Sequence, residues 1–120
     1  MLSYTDKRKI GELLSVLLND QDFSLYSDKI NEETVKYTED LLLRLSNCNK
    51  ATTALFTGIK CIPKSPNVYG WLISCGSAML DGMISIIKIN HSVFYSNLLC
   101  TTGVQTHRDA LKATLLNGYF

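Results

Sequence analysis

The chain has 120 residues, of which 46% are apolar and 19% charged, with a formal net charge of +1. That suffices for one domain, 1–120, with its own core and no need of metal or disulfide staples, and it excludes a disordered chain. The near-neutral balance lacks the positive field that a general nucleic-acid binder needs.

Residues 5–19 place Ile10, Leu13, Leu14, Leu17 and Leu18 on one stripe at helical spacing. This predicts an amphipathic helix capped by Ser3 or Thr5. Nothing at the start combines basic residues with a following apolar run and a small-residue cleavage site, so no secretory signal is expected. Lys7, Arg8 and Lys9 read as a solvated first turn rather than a localisation signal. The polar stretch 19–28 reads as a loop or one short turn. Asn31 then caps a second helix, with Glu32 and Glu33 set against its N-terminal dipole. Ile30, Thr34, Leu41, Leu42 and Leu45 share its main face, and Leu43 points to a second contact. Glu32-Glu33 and Glu39-Asp40 read as surface acids. A third helix over about 50–61 aligns Ala51, Leu55, Ile59 and Ile62, with Phe56 beside them. Pro63 and Pro66 stop it, because each lacks an N–H and restricts the residue before it. Ser65-Pro66 reads as an ordinary loop dipeptide.

Residues 69–88, YGWLISCGSAMLDGMISIIK, form the most apolar stretch of the chain. A membrane span needs about 18 or more apolar residues with few charges. Asp81 near the middle would cost about 2.5–3.5 kcal/mol on insertion. At about 100° per residue, Leu72, Ile73, Cys75, Met79, Leu80, Met83, Ile84, Ile86 and Ile87 fall on one half of the wheel. Gly70, Ser74, Ser77, Ala78, Asp81, Gly82, Ser85 and Lys88 fall on the other. A two-faced helix of this kind predicts a soluble core element and no membrane span.

Residues 92–100 predict a short fifth helix. Thr106 with Asp109 suggests a shortened capping box for a last helix lined by Leu111 and Leu115 and ended by Asn117-Gly118. The expected fold is therefore all-α, a compact bundle of about six helices around a central apolar helix, residues 68–88.

The chemistry-bearing residues are few. Cys48, Cys61, Cys75 and Cys100 contain no CxxC pair and have only His91 and His107 to join them, which disfavours zinc. Without an export signal they read as reduced thiols, giving a cytoplasmic or nuclear protein. Cys75 with His91 or His107 is the one candidate nucleophile and base, and each sits where a core or cap residue would; no enzyme and no cofactor is expected. A helix-turn-helix in the last two helices would offer only Arg108 and Lys112 to a nucleic acid, so that class stands as a secondary alternative.

An interaction module fits better. Gly70, Ser74, Ala78 and Gly82 recur at i, i+4, so a partner backbone could lie close along them, with Asp81 as a polar anchor, Trp71 at the edge and Ser85 one turn on. The candidate partner-binding residues are thus Gly70, Trp71, Ser74, Ala78, Asp81, Gly82 and Ser85, the partner being another protein or a second copy of the chain. Tyr, Ile, Asn and Lys are plentiful and Ala, Arg and Pro scarce. That usage suits AT-rich coding, as in low-GC bacteria, some parasites, phages and several large DNA viruses, and is compatible with a virus- or phage-encoded accessory protein acting on a host or replication partner. The segment SCGSAML, 74–80, resembles the glycine-bearing central helix of the Bcl-2 family. The resemblance covers seven residues and implies amphipathic helices wrapped around one apolar helix, and a role in apoptosis or innate signalling. The family's Asn-Trp-Gly-Arg signature is absent: Trp71 follows Gly70, and no arginine comes next.

Overall fold

The computed structural model describes residues 2–18, 22–47, 50–57, 59, 62–63, 68–93 and 109–113. Among these there is no strand, and the fold is all-α. Helix α1 spans Tyr4–Leu18, and Ser3 caps it by accepting from the Asp6 N–H at 3.1 Å. The stripe of Ile10, Leu13, Leu14, Leu17 and Leu18 is buried as its spacing predicts.

The polar stretch after α1 is more ordered than a loop. Phe23–Lys29 forms a 3₁₀ helix, capped by the Asp22 side chain, which accepts from the Ser24 N–H. The Ser24 hydroxyl, and then the Ser24 N–H, hold the Asp22 carboxyl below the ordinary aspartate range. Ser15 ties this turn to α1: its hydroxyl donates to the Gly11 carbonyl at 2.8 Å and accepts from the Phe23 N–H at 2.6 Å. Gly11 leaves room for that approach. A Cβ there would stand 2.7 Å from both the Phe23 oxygen and the Ser24 Cα. Phe23 is thereby driven fully into the core.

Helix α2, Glu32–Ser46, starts at a reciprocal cap. Asn31 Oδ1 accepts from the Thr34 N–H at 3.0 Å, and Thr34 Oγ1 accepts from the Asn31 N–H at 2.8 Å. Its main face buries Thr34, Thr38, Leu41, Leu42 and Leu45, and Leu43 is buried as well. The predicted third helix is shorter than its apolar spacing suggests. Helix α3 is Lys50–Phe56, and it buries Thr52 and Phe56 while Ala51 is exposed. It ends because the Ile59 N–H bonds to the Phe56 carbonyl at 2.9 Å, a three-residue turn rather than a further α turn. Thr53 Oγ1 donates to the Ser46 carbonyl, fastening the start of α3 to the end of α2.

The central stretch is two helices, not one over 68–88. Helix α4 is Trp71–Ser74 and α5 is Gly76–Ile89. Gly76 takes φ 81°, a left-handed conformation that an α-helix cannot continue through. The two halves of the wheel nevertheless segregate as expected. Leu72, Leu80, Met83, Ile84 and Ile87 are buried, whereas Gly70, Ser74, Ser77, Ala78, Asp81, Gly82, Ser85 and Lys88 are exposed. Helix α5 lies along α1, and charges bridge the pair: Lys9 donates to Asp81, and Lys88 stands 3.9 Å from Glu12.

Residues 91–93 continue as a helical turn, at the start of the predicted fifth helix; the rest of that helix lies outside the described residues. Residues 109–113 are helical and bury Leu111, whereas Thr106, His107, Leu115, Asn117-Gly118 and Ser65-Pro66 lie outside. Among the described residues no helix is long and apolar enough to cross a membrane.

Replacing Gly11 by alanine forces two backbones apart. The expected loss is about 1–3 kcal/mol, the usual size for overpacking a tight contact, read as a lower urea midpoint with unchanged slope. An unchanged midpoint would mean that the 3₁₀ turn does not press on α1.

A candidate groove between α2 and the start of α4

One face of α2 carries Glu32, Val35, Lys36 and Glu39, at i, i+3, i+4 and i+7. Glu39 is not the surface acid that its Glu-Asp neighbourhood suggests, for it is 1% exposed. Its carboxylate accepts two backbone N–H groups of another segment, Gly70 to Oε1 at 3.1 Å and Leu72 to Oε2 at 2.9 Å. Helix α4 gets no cap from its own preceding side chain, since that residue is Gly70, at φ 83°. Glu39 supplies the cap from across the fold. A signal was present in the sequence: Val35, Glu39 and Leu42 fall at i, i+4 and i+7, so an acid occupies a core register.

This clamp holds residues 69–73 alongside α2 with a groove between them. The groove has a volume of about 360 Å³ and is lined by Leu2, Glu32, Val35, Lys36, Glu39, Tyr69, Gly70 and Ile73. Leu2, Val35 and Ile73 make its apolar part. Tyr69 is 57% exposed at the lip, and the Lys36 ammonium stands 5.5 Å from the centre of its ring. Beyond that bridge a second hollow is lined by Glu32, Glu33, Lys36, Tyr37, Asp40 and Tyr69.

Of the seven residues expected to bind a partner, Gly70 alone lines the groove. Trp71 is not at an exposed edge; it is buried, and its indole N–H has no hydrogen-bond partner among the described residues. Ser74, Ala78, Asp81, Gly82 and Ser85 are exposed. They do not form one ridge with Gly70, because the break at Gly76 separates the α4 pair from the α5 residues. Asp81 is engaged by Lys9, and this hydrogen bond is the main reason the Lys9 ammonium titrates above its ordinary range. A Cβ on Gly82 would meet nothing within 4 Å.

Cys75 is disulfide-bonded, which corrects the reading of four reduced thiols; Cys48, Cys61 and Cys100 lie outside the described residues. Its Sγ lies 3.2 Å from the Trp71 carbonyl, a contact rather than a hydrogen bond, since a disulfide sulfur has no proton to give. A bonded sulfur is no thiolate, so it cannot attack as the Cys-His pairing would require. The cytoplasmic or nuclear assignment, drawn from reduced thiols, loses that support. Among the described residues no three His, Cys, Asp or Glu side chains come together to hold a metal. The helix break falls inside SCGSAML, so the segment similar to a Bcl-2 central helix is not continuous here. No protein-family model, no curated protein and no solved structure matches this chain.

Two substitutions probe this geometry. Glu39→Gln sets an amide N–H₂ against a backbone N–H and should cost about 1–3 kcal/mol, the penalty for an unsatisfied buried group. A melting curve identical to that of the parent protein would show the clamp to be dispensable. Gly82→Ala should instead add about 0.5–1 kcal/mol, because the site is helical, exposed and open. A drop in melting temperature would reveal something lying over that face.

Proposed function

We propose that this chain is a non-enzymatic protein-interaction module that holds a segment of another protein in the groove between α2 and residues 69–73. The observation that carries the reading is the groove itself: an apolar floor of Val35 and Ile73 under an exposed aromatic lip, Tyr69. Concave apolar surface beside exposed aromatic and charged side chains is where protein partners bury their anchors. The carboxylates along the rim would repel nucleic-acid phosphates, which favours a protein partner. The exposed half of α5, with Ala78, Gly82 and Ser85, offers a second close-approach surface to the same partner or to a second copy. The AT-rich residue usage is compatible with a virus- or phage-encoded accessory protein that acts on a host or replication partner.

The test is affinity capture by the full chain, with a Tyr69→Ala/Ile73→Ser variant as control, followed by rebinding with the purified captured protein. The variant should lose the partner by about tenfold or more in affinity, as for central interface residues, and keep its helical circular-dichroism signal. Equal retention by parent and variant would place the interaction elsewhere.

A further inference from the structure

We infer that the groove's occupant is a basic amphipathic helix of the partner protein, with apolar anchors in one hollow and lysine or arginine side chains in the other. This rests on the groove reading above and names the partner's chemistry. The two hollows share Glu32, Lys36 and Tyr69, so they adjoin across the Lys36–Tyr69 bridge and differ in character. The first offers Leu2, Val35 and Ile73. Its buried acid, Glu39, has its two oxygens occupied by the Gly70 and Leu72 N–H groups, so it presents little charge outward. The second offers Glu32, Glu33 and Asp40, none of which forms an ion pair among the described residues.

Lys36 is the one cation among the described residues lining either hollow, and its ammonium rests on the Tyr69 ring. The site thus contains a built-in example of the contact that a partner's cation would make. An incoming arginine can displace Lys36, stack on the exposed ring and turn its donors to the carboxylates. The lining of α2 runs from residue 32 to residue 40, about 12 Å of helix, which matches roughly two turns of an opposing helix. On such a helix, apolar residues at i and i+4 and basic residues beside them would reach the two hollows together.

The experiment is a fluorescence-anisotropy titration of the full chain against four labelled peptides of about 16 residues, long enough to form a helix on binding. One is an amphipathic Leu/Arg helix. Two keep its apolar positions but carry glutamine or glutamate in place of arginine, and the last scrambles the basic sequence. The basic amphipathic peptide should bind about tenfold or more tighter than the glutamine peptide, and the glutamate peptide should not bind. Its affinity should fall with added salt and fall again in the Glu33→Gln/Asp40→Asn variant. Lys36→Ala should tighten binding by vacating the Tyr69 ring, a gain that a general loss of structure would not produce.

Equal affinity for the basic and glutamine peptides overturns the partner class, and so does equal affinity for the scrambled peptide, which would show plain charge attraction. If the captured protein still needs Tyr69 and Ile73 in either case, the groove reading stands and the basic helix alone fails. If Tyr69→Ala/Ile73→Ser changes neither peptide nor partner binding, the groove reading itself has failed.

Discussion

The structure turns on one carboxylate. Glu39 is buried, has no cation beside it among the described residues, and is held by two backbone N–H groups from a segment more than 30 residues further along the chain. A polar group in a core is costly unless its hydrogen-bonding capacity is met, and here each oxygen meets a donor. The contact does three jobs together. It starts α4 where the chain has only a glycine to offer, it turns Trp71 and Leu72 into the core, and it sets the distance between residues 69–73 and α2. The groove is the gap that this distance leaves.

The other half of the fold is assembled by a different device. There the close approach of the 3₁₀ turn to α1 depends on the missing side chain of Gly11 and on the Ser15 hydroxyl, which serves both backbones. Helix α5 then lies along α1 with its apolar half inward. The charges of Lys9, Glu12, Asp81 and Lys88 across that seam are largely exposed, so they fix alignment more than they stabilise. Buried hydrogen bonding thus organises the α2–α4 side, and apolar packing organises the α1–α5 side.

That division bears on function. A surface that binds must stay concave and partly apolar when nothing occupies it, which requires walls fixed from behind. Glu39 fixes the wall formed by residues 69–73, and the buried face of α2 fixes the other. Tyr69 and Lys36 at the lip are exposed and free of the core, so they can change contacts without disturbing the fold. The α5 face is exposed too, but its Asp81 is already engaged by Lys9, and its residues are divided from Gly70 and Ser74 by the break at Gly76.

The sequence by itself determined whatever depends on local periodicity and local capping. The stripe of α1, the Asn31 cap of α2 and the two halves of the 70–88 wheel follow from residue spacing, because a helix turns by a fixed angle and its apolar half must leave water. Only the tertiary structure decided what depends on which segment arrives opposite. Glu39 looks like any surface acid until Gly70 and Leu72 bring their N–H groups to it. Gly70, Gly76 and Gly82 are alike in the sequence, yet packing sends the first two to positive φ and leaves the third helical. The stretch Phe23–Lys29 becomes a 3₁₀ helix because Asp22 and Ser15 satisfy its backbone. The groove belongs to this second group: it exists between segments far apart in the chain, and no window of residues contains both of its walls.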